Sequence, residues 1–246
     1  MVGLSIHLAM SAEVPVNFHD LRQCLDVNGL IGPFNLSLSS RDVLHLLIAA
    51  LPQDKNLRNL HVSLPLVRQV ITDKAIVDLV EELFDDSYQL WRTNFFRRHL
   101  GSPHPGVALH HDKHFQNAHA SIDFDELGDH LSIVIALDVI DRRNGCFTYL
   151  PGSHRSYLPG MVRDTRPFEL RPLEDHFPVV PSELLDQLYE LPLPGGSFCL
   201  FHSALLHGSR PSNGDAGRTS MVARLVNRQC CIPSASAQPH EILRYC

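Results

Sequence analysis

Two side chains of metal-binding type lie two positions apart near the middle of the chain. His110 and Asp112 fall at the end of a predicted strand, 106–111, and residues two apart in a strand point to the same side. A third ligand from a distant strand would complete two histidines and one carboxylate on one face of a metal ion. Non-haem iron(II) oxygenases use this donor set, because the opposite face stays open for a bidentate oxoacid and dioxygen.

The third ligand is expected from a segment near residue 200 that contains two histidines. His207 is favoured because the small residues Gly208 and Ser209 follow it and would let a cosubstrate approach closely. His202 is the rival in the same segment. With either histidine the pattern predicts a metal site with only three protein ligands, whereas a structural site fills every position with protein groups.

An arginine follows on the next predicted strand. Arg218 lies eleven positions after His207, and its planar fork of N–H donors suits the far carboxylate of a dicarboxylate. Ser220, two residues further, would point to the same side and add a hydroxyl donor. The spacing therefore indicates a dicarboxylate bound between the metal and Arg218.

Helical periodicity dominates the first hundred residues. One predicted helix covers 41–48, with Ser39 or Ser40 as its N-cap and Pro52 as its end. A second covers 72–84, with Asp73 in its first turn. Both apolar stripes are interpreted as packing faces.

From about residue 88 the pattern changes to short apolar or alternating runs separated by Gly, Pro and Asn. The predicted strands are 88–97, 106–111, 131–139, 146–150, 197–202 and 219–226. They predict a mainly β fold with flanking helices and a double-stranded β-helix (jelly-roll, cupin-like) core. The segment 155–182 is rich in Pro and charge, and we interpret it as a lid or binding loop.

Length and charge limit the classes of function. A chain of 246 residues predicts a single domain, 1–246, with 1–87 as mainly helical support, 88–228 as the jelly-roll core and 229–246 as a C-terminal tail. The formal net charge is -6 without a basic cluster, so neither nucleic acid nor a membrane is an expected partner. No signal peptide or membrane span is recognised, which predicts a cytoplasmic protein.

The six cysteines lack CxxC spacing and are interpreted as mostly buried free thiols.

Four stretches together resemble the phytanoyl-CoA dioxygenase (PhyH-like) family of iron(II) and 2-oxoglutarate oxygenases. They are the His-x-Asp of 110–112, NGCFTYLPGSHR at 144–155, PGGSFCLFHSALLHGSRPSN at 194–213 and RTS at 218–220. His-x-Asp alone is a weak signal, but the combination is specific and covers about residues 88–228. The resemblance implies Fe(II), 2-oxoglutarate and O2 as metal, cofactor and cosubstrate. The implied metal ligands are His110, Asp112 and His207.

The resemblance also implies roles around the metal. Arg218 would grip the distal carboxylate of 2-oxoglutarate with help from Ser220, and Thr93 or Asn94 would add a polar contact. Related halogenases replace the carboxylate ligand by a small residue so that chloride can take its place. This chain retains Asp112, which favours hydroxylation.

The substrate is less constrained. The run WRTNFFRR followed by HHDKHF is similar to small bacterial hydroxylases of free L-amino acids such as leucine, which predicts amino-acid hydroxylation in natural-product biosynthesis. His114 and Arg97 are the candidate substrate contacts, although Arg97 and Arg98 also suit a solvated strand end. Alternative substrates are an acyl thioester, a carrier-bound residue or a terpenoid.

Two other classes of protein stay open. One is a non-catalytic jelly-roll protein that holds a metal or ligand, and the other is a zinc hydrolase, which leaves Arg218 unexplained. For an enzyme, a small molecule is the expected partner. The oligomeric state is not predicted.

Overall fold

The computed structural model describes residues 18–53, 57–84, 88–112, 130–155, 180–228 and 243–244, and within them ten strands pair antiparallel. Their bounds are β1 Leu30–Asn35, β2 Tyr88–Arg98, β3 Val107–His110, β4 Leu131–Ala136, β5 Phe147–Tyr149, β6 Tyr189–Leu191, β7 Ser197–His202, β8 His207–Ser209, β9 Arg218–Asn227 and β10 Leu243–Arg244. The large sheet has the order β1-β7-β4-β9-β2-β10, and the small sheet has the order β3-β8-β5-β6.

Helices come mainly before β2. Their bounds are α1 Phe18–Asn28, α2 Leu38–Asp42, α3 Leu44–Ala50, α4 Pro65–Ile71, α5 Lys74–Phe84 and α6 Ser182–Leu185, with short 3-10 turns at Leu60–Val62 and Ser153–Arg155. The predicted helix 41–48 is therefore two helices, which meet at Val43. The predicted N-cap is wrong, because Ser39 and Ser40 lie inside α2. Asp73 immediately precedes α5, and its Oδ1 accepts a hydrogen bond from Ala75 N at 2.9 Å, which is an N-cap contact.

Two hydrophobic cores lie on the two faces of the large sheet. Along β4, Ile133 and Ile135 pack with apolar residues of the helices, whereas Val134 and Ala136 pack with residues of the small sheet such as Phe147. This alternation follows from the two-residue period of a strand. The large sheet thus has a helical face and an inner face, and the inner face looks toward the small sheet.

The ladder between β2 and β9 determines which polar residues reach the inner face. The register shifts between Leu90 and Arg92, so the strand carries a bulge at Trp91. Leu90 packs on the helical face, and beyond the bulge Phe95 does so too. Beyond the bulge, four residues of β2 consequently point inward: Arg92, Asn94, Phe96 and Arg98.

The predicted mainly β fold with flanking helices is confirmed, and the predicted strands match observed ones to within a few residues. The sequence pattern did not predict β1, β6, β8 or β10, and β1 pairs with β7 at the edge of the large sheet. Most of the segment 155–182 lies outside the described residues, as do Cys230, Cys231 and Cys246. Cys24, Cys146 and Cys199 are free thiols. No described helix has the length and apolar character needed to cross a membrane.

Candidate metal centre

The small sheet brings the predicted metal ligands together. His110 ends β3, His207 begins β8, and the two are register partners. Asp112 follows β3 by two residues. One donor atom from each of the three side chains lies within 4.8 Å of the others, and the two imidazole rings are 4.4 Å apart. The structure therefore assembles two histidines and one carboxylate, as the spacing predicts.

Backbone carbonyls orient both imidazoles. Nδ1 of His110 lies 2.9 Å from the carbonyl oxygen of Ala108, and Nδ1 of His207 lies 2.9 Å from that of Leu205. A carbonyl can only accept, so each Nδ1 carries the proton and each Nε2 carries the lone pair. The Nε2 atoms lie 3.8 Å and 3.9 Å from Asp112 Oδ1. Three lone-pair atoms thus converge on one point.

Asp112 is held by two donors from the large sheet. Ser132 on β4 donates to Oδ2 at 2.7 Å, and Arg224 on β9 donates to Oδ1 at 2.6 Å. Both donors lie on the inner face, and the carboxylate is almost fully buried. The site therefore spans the two sheets, with histidines from one and supporting donors from the other.

The electrostatics keep the donor atoms in their metal-binding protonation states. Burial, together with the neighbouring His110, lowers the pKa of His207 to about 3, and burial likewise lowers the pKa of His110. For Asp112 burial acts to raise the pKa, but Arg224 and the two histidines outweigh it and hold the pKa well below its usual range. Near neutral pH the site has two neutral imidazoles and one carboxylate, the forms that bind a divalent metal.

Two aromatic rings pack against the metal-ligand candidate His207. Phe147 stacks on His207 with ring centroids 5.6 Å apart, and Phe201 meets the same ring edge-on at 4.7 Å. The rival ligand His202 is not part of the site, because its Nδ1 accepts a hydrogen bond from Ala204 N and its ring packs against His154. The preference for His207 over His202 therefore agrees with the geometry.

Arg218 lies on the inner face at the start of β9. Its side chain is buried, and its Nε has no hydrogen-bond partner among the described residues. Its register partner on β2 is Arg98, which donates to Ser209 Oγ at 2.7 Å. Ser209 is two residues beyond His207 on β8, a distance of roughly 7 Å along a strand. The vacant donor of Arg218 is thus linked, through Arg98 and Ser209, to β8, the strand that begins with His207.

Arg98 differs from the interpretation as a solvated strand end. It is 5% exposed, and its guanidinium donates to the carbonyl oxygens of Asn144 and Arg210 as well as to Ser209. Burial lowers its pKa. Arg98 therefore joins the two sheets beside Arg218 and is structural at this point of the barrel.

Two predicted contacts are corrected by the faces of β2. Thr93 points to the helical face, where its hydroxyl lies 2.9 Å from Nδ1 of buried His61, so Asn94 is the residue that faces inward. Arg97 is also on the helical face, and its guanidinium donates to the carbonyls of Ile48 and Pro52 at the end of α3. Neither Thr93 nor Arg97 reaches the metal centre. His114 lies outside the described residues.

Three inner-face residues of the site were missed by the sequence reasoning. They are Ser132, Arg92 and Arg224, which approach the centre from the large sheet. Arg224 lies on the same face of β9 as Arg218 and Ser220. A search for charged residues at even spacing along the 219–226 strand would have found Arg224. Arg92 could not be found in this way, because the bulge changes which residues of β2 face inward.

An open groove elsewhere on the chain has a different character. It lies beside the small sheet and includes Arg142, Glu190 and Arg210 among its lining residues. Both arginines donate to Glu190, at 2.6 Å and 3.0 Å. The cations of this groove are already paired, and none of the three metal-binding residues lines it.

The residues present fit iron and 2-oxoglutarate. Two imidazoles and a carboxylate form a donor set for divalent iron, and among the described residues the group contains three side chains, which leaves positions open. The buried, unpartnered Nε of Arg218 offers a donor to the second carboxylate of the oxoacid.

The double-stranded β-helix with an open two-histidine, one-carboxylate site defines the class of non-haem iron oxygenase folds. Within that class, the chain belongs to the phytanoyl-CoA dioxygenase (PhyH) family, whose sequence profile matches residues 31–220. A curated relative, a phytanoyl-CoA dioxygenase domain-containing protein 1 homolog from Caenorhabditis briggsae, is 28% identical over 104 residues. That match covers 41% of this chain and 36% of the relative, so the chain spans about a third of the relative's length.

Solved structures share the fold over most of the chain. The non-haem α-ketoglutarate-dependent carbocyclase SnoK from nogalamycin biosynthesis superposes with a TM-score of 0.69 at 14% identity, covering 89% of this chain and 88% of its own. EctD from S. alaskensis has a TM-score of 0.67 at 18% identity, with 89% and 79% covered. CytC3, solved with Fe(II) and α-ketoglutarate, has a TM-score of 0.63 at 20% identity, with 89% and 80% covered.

Proposed function

We propose that this chain is an iron(II)- and 2-oxoglutarate-dependent dioxygenase that hydroxylates an unactivated C–H bond of a small metabolite. The observation that carries the proposal is the convergence of His110, Asp112 and His207 beside a buried arginine, Arg218, whose Nε has no partner among the described residues. The oxygenase class follows from the three-ligand donor set together with family membership. A structural metal site would not require the cation.

The chain's own residues would perform distinct tasks. Neutral His110 and His207 donate Nε2 lone pairs to the metal, and Asp112 contributes the negative charge. Arg218 fixes the direction of 2-oxoglutarate through its distal carboxylate, and Ser220 lies on the same inner face. Phe147 and Phe201 cover one side of His207 and exclude water there. When bound, iron, 2-oxoglutarate and dioxygen supply the oxidising chemistry.

Hydroxylation is favoured over halogenation because Asp112 occupies the position that halogenases leave to chloride. A free L-amino acid is the proposed substrate, supported by the local similarity around residues 91–98 and 110–115. A role in natural-product biosynthesis is consistent with structural neighbours such as SnoK, which comes from nogalamycin biosynthesis. Action in the cytoplasm on a small molecule, with neither nucleic acid nor a membrane as a partner, stays a prediction.

The test is an anaerobic titration of the purified apoprotein with iron(II) and 2-oxoglutarate. A weak visible charge-transfer band should appear when the oxoacid chelates the iron. Replacement of Arg218 by Ala should raise the 2-oxoglutarate concentration for half-saturation about 10- to 100-fold, the loss expected for a hydrogen bond to a charged group. Arg97→Ala, on the opposite face of the large sheet, is the matched control and should behave like the wild type.

The remaining outcomes discriminate the alternatives. Metal binding without the band would refute the oxygenase and leave a structural or ligand-sensing site. With the band present, succinate release that depends on an added free amino acid would support the amino-acid substrate. Release that depends instead on an acyl thioester, a carrier-bound residue or a terpenoid would move the same chemistry to that substrate class.

A further inference from the structure

Two pairs of arginines face each other across the β2–β9 ladder. Arg98 is the register partner of Arg218, and Arg92 is the register partner of Arg224. All four side chains are on the inner face, and the two pairs are six residues apart, about 20 Å along the strand. Like charges directly opposite each other weaken a sheet unless acceptors compensate them.

The two pairs are compensated unequally. Arg98 donates to three protein acceptors, but the acceptor described for the second pair is the single oxygen Oδ1 of Asp112, bound by Arg224. The Nε atoms of both Arg92 and Arg224 are buried and have no hydrogen-bond partner within the described part of the chain. The pKa of Arg92 is lowered to about 10, mainly by burial and also by the neighbouring cation Arg224, while Asp112 acts to raise it. Two guanidinium groups thus share the described carboxylate Asp112 at this end of the ladder.

The two pairs have different relations to the metal centre. Arg224 touches the metal-ligand candidate Asp112 directly, whereas Arg98 reaches Ser209, two residues past His207. The Arg98–Arg218 end is already used by the proposed 2-oxoglutarate. The Arg92–Arg224 end, which contacts the metal-ligand candidate Asp112, is therefore left for the molecule that is oxidised.

Arg92 is held in place before any ligand arrives. Its guanidinium carbon lies 4.5 Å from the ring centroid of Trp91, the residue that forms the bulge in β2. Since bulges re-aim side chains next to active sites, the local backbone of β2 serves to turn this cation inward. A planar, bidentate anion such as a carboxylate matches two adjacent guanidinium groups.

We propose that Arg92 and Arg224 form the subsite for the substrate's carboxylate, so that the substrate is a free α-amino acid bound through its acid group. The inference rests on the proposed function and extends it to named residues. Arg92 is the better residue to change, because Arg224 contacts a metal ligand and its loss would also disturb the metal.

The experiment uses the full chain loaded anaerobically with iron(II) and 2-oxoglutarate. Each common L-amino acid and its carboxamide is titrated into the complex, and binding beside the metal is read from the change in the visible band. At least one acid should bind, with its amide at least tenfold weaker. In Arg92→Gln the acid should bind about 10- to 100-fold more weakly and the amide about as before. The half-saturating concentration of 2-oxoglutarate should stay unchanged.

The control is Arg97→Gln, which removes a charge from the helical face of the same strand and should retain the acid preference. An acid preference that survives in Arg92→Gln, or a wild type that binds acid and amide equally or neither, overturns the subsite while the oxygenase stands. A parallel loss of 2-oxoglutarate binding in Arg92→Gln also overturns it, by assigning the pair to the cosubstrate. Absence of the band in the wild type instead refutes the proposed function, and the subsite with it.

Discussion

Gly145 is the position where a single methyl group should damage the connection between the two sheets. Its φ is +91°, and an added Cβ would lie 1.6 Å from Arg98 Nη1 and 2.6 Å from the carbonyl oxygen of Arg210. That nitrogen donates to Asn144 O at 3.0 Å and to Arg210 O at 2.9 Å. In Gly145→Ala the guanidinium must therefore move, and the carbonyl of Arg210, which is backbone, cannot easily follow.

The expected loss has two parts. A non-glycine residue at positive φ costs about 1–2 kcal/mol. Displacing Arg98 breaks at least one hydrogen bond from a charged donor inside the protein, which adds about 1.5–3 kcal/mol. We expect Gly145→Ala to lower the free energy of unfolding by roughly 2.5–5 kcal/mol, the sum of these contributions.

Gly101 separates the two parts. Its φ is +79°, and an added Cβ would meet nothing within 4 Å, so Gly101→Ala should lose only the conformational contribution, about 1–2 kcal/mol. Denaturant unfolding can follow both variants through the fluorescence of the single tryptophan, Trp91, which is buried. Equal destabilisation of the two variants would show that the Arg98 contacts add nothing and would refute the reasoning.

Three further substitutions test the site and its support. Ser132→Ala removes the donor to Asp112 Oδ2 and should weaken iron binding about tenfold in competition with a chelator; unchanged affinity would contradict the supporting role. Thr93→Val should lower the free energy of unfolding by about 1 kcal/mol through loss of the contact with His61, whereas a higher 2-oxoglutarate requirement would contradict its place on the helical face. The pKa of Asp73 is lowered because hydrogen bonds outweigh burial, so its stabilisation is present above about pH 4 and disappears as pH falls through the folded pKa. Asp73→Asn should therefore destabilise the protein by about 1 kcal/mol at neutral pH, and denaturant unfolding that gives the same difference near pH 2 would oppose this.

The metal ligands could be predicted because local rules place them. His110 and Asp112 are two residues apart, and the turn-rich segments around them mark short strands, so their common direction follows from strand geometry. The partner His207 could be favoured over His202 from its small neighbours, and the structure pairs His207 with His110 across β3 and β8. The candidate Arg218 could be predicted in the same way, from its position eleven residues after His207 on the next predicted strand.

What the sequence could not specify depends on long-range pairing. The choice between Thr93 and Asn94 stayed open because it depends on which residues of β2 face inward. The bulge at Trp91 changes that alternation along the strand. The burial of Arg98 depends on carbonyls of Asn144 and Arg210, far along the chain, and no local pattern predicts these acceptors. The break between α2 and α3 at Val43 was likewise missed, since both halves keep apolar residues at helical spacing.

The bulge in β2 also links the fold to the chemistry. A one-residue change of register sends every side chain of a strand to the other face. If Trp91 were paired as a regular strand residue, strict alternation from Leu90 would place Arg92, Asn94 and Arg98 on the apolar helical face and Phe95 on the inner one. The helical face offers apolar packing, where an unpaired guanidinium is costly. The bulge therefore keeps charge out of the helical core and also supplies the inner face with the cations that we propose bind the oxoacid and the substrate. Core packing and the proposed ligand binding thus require the same register.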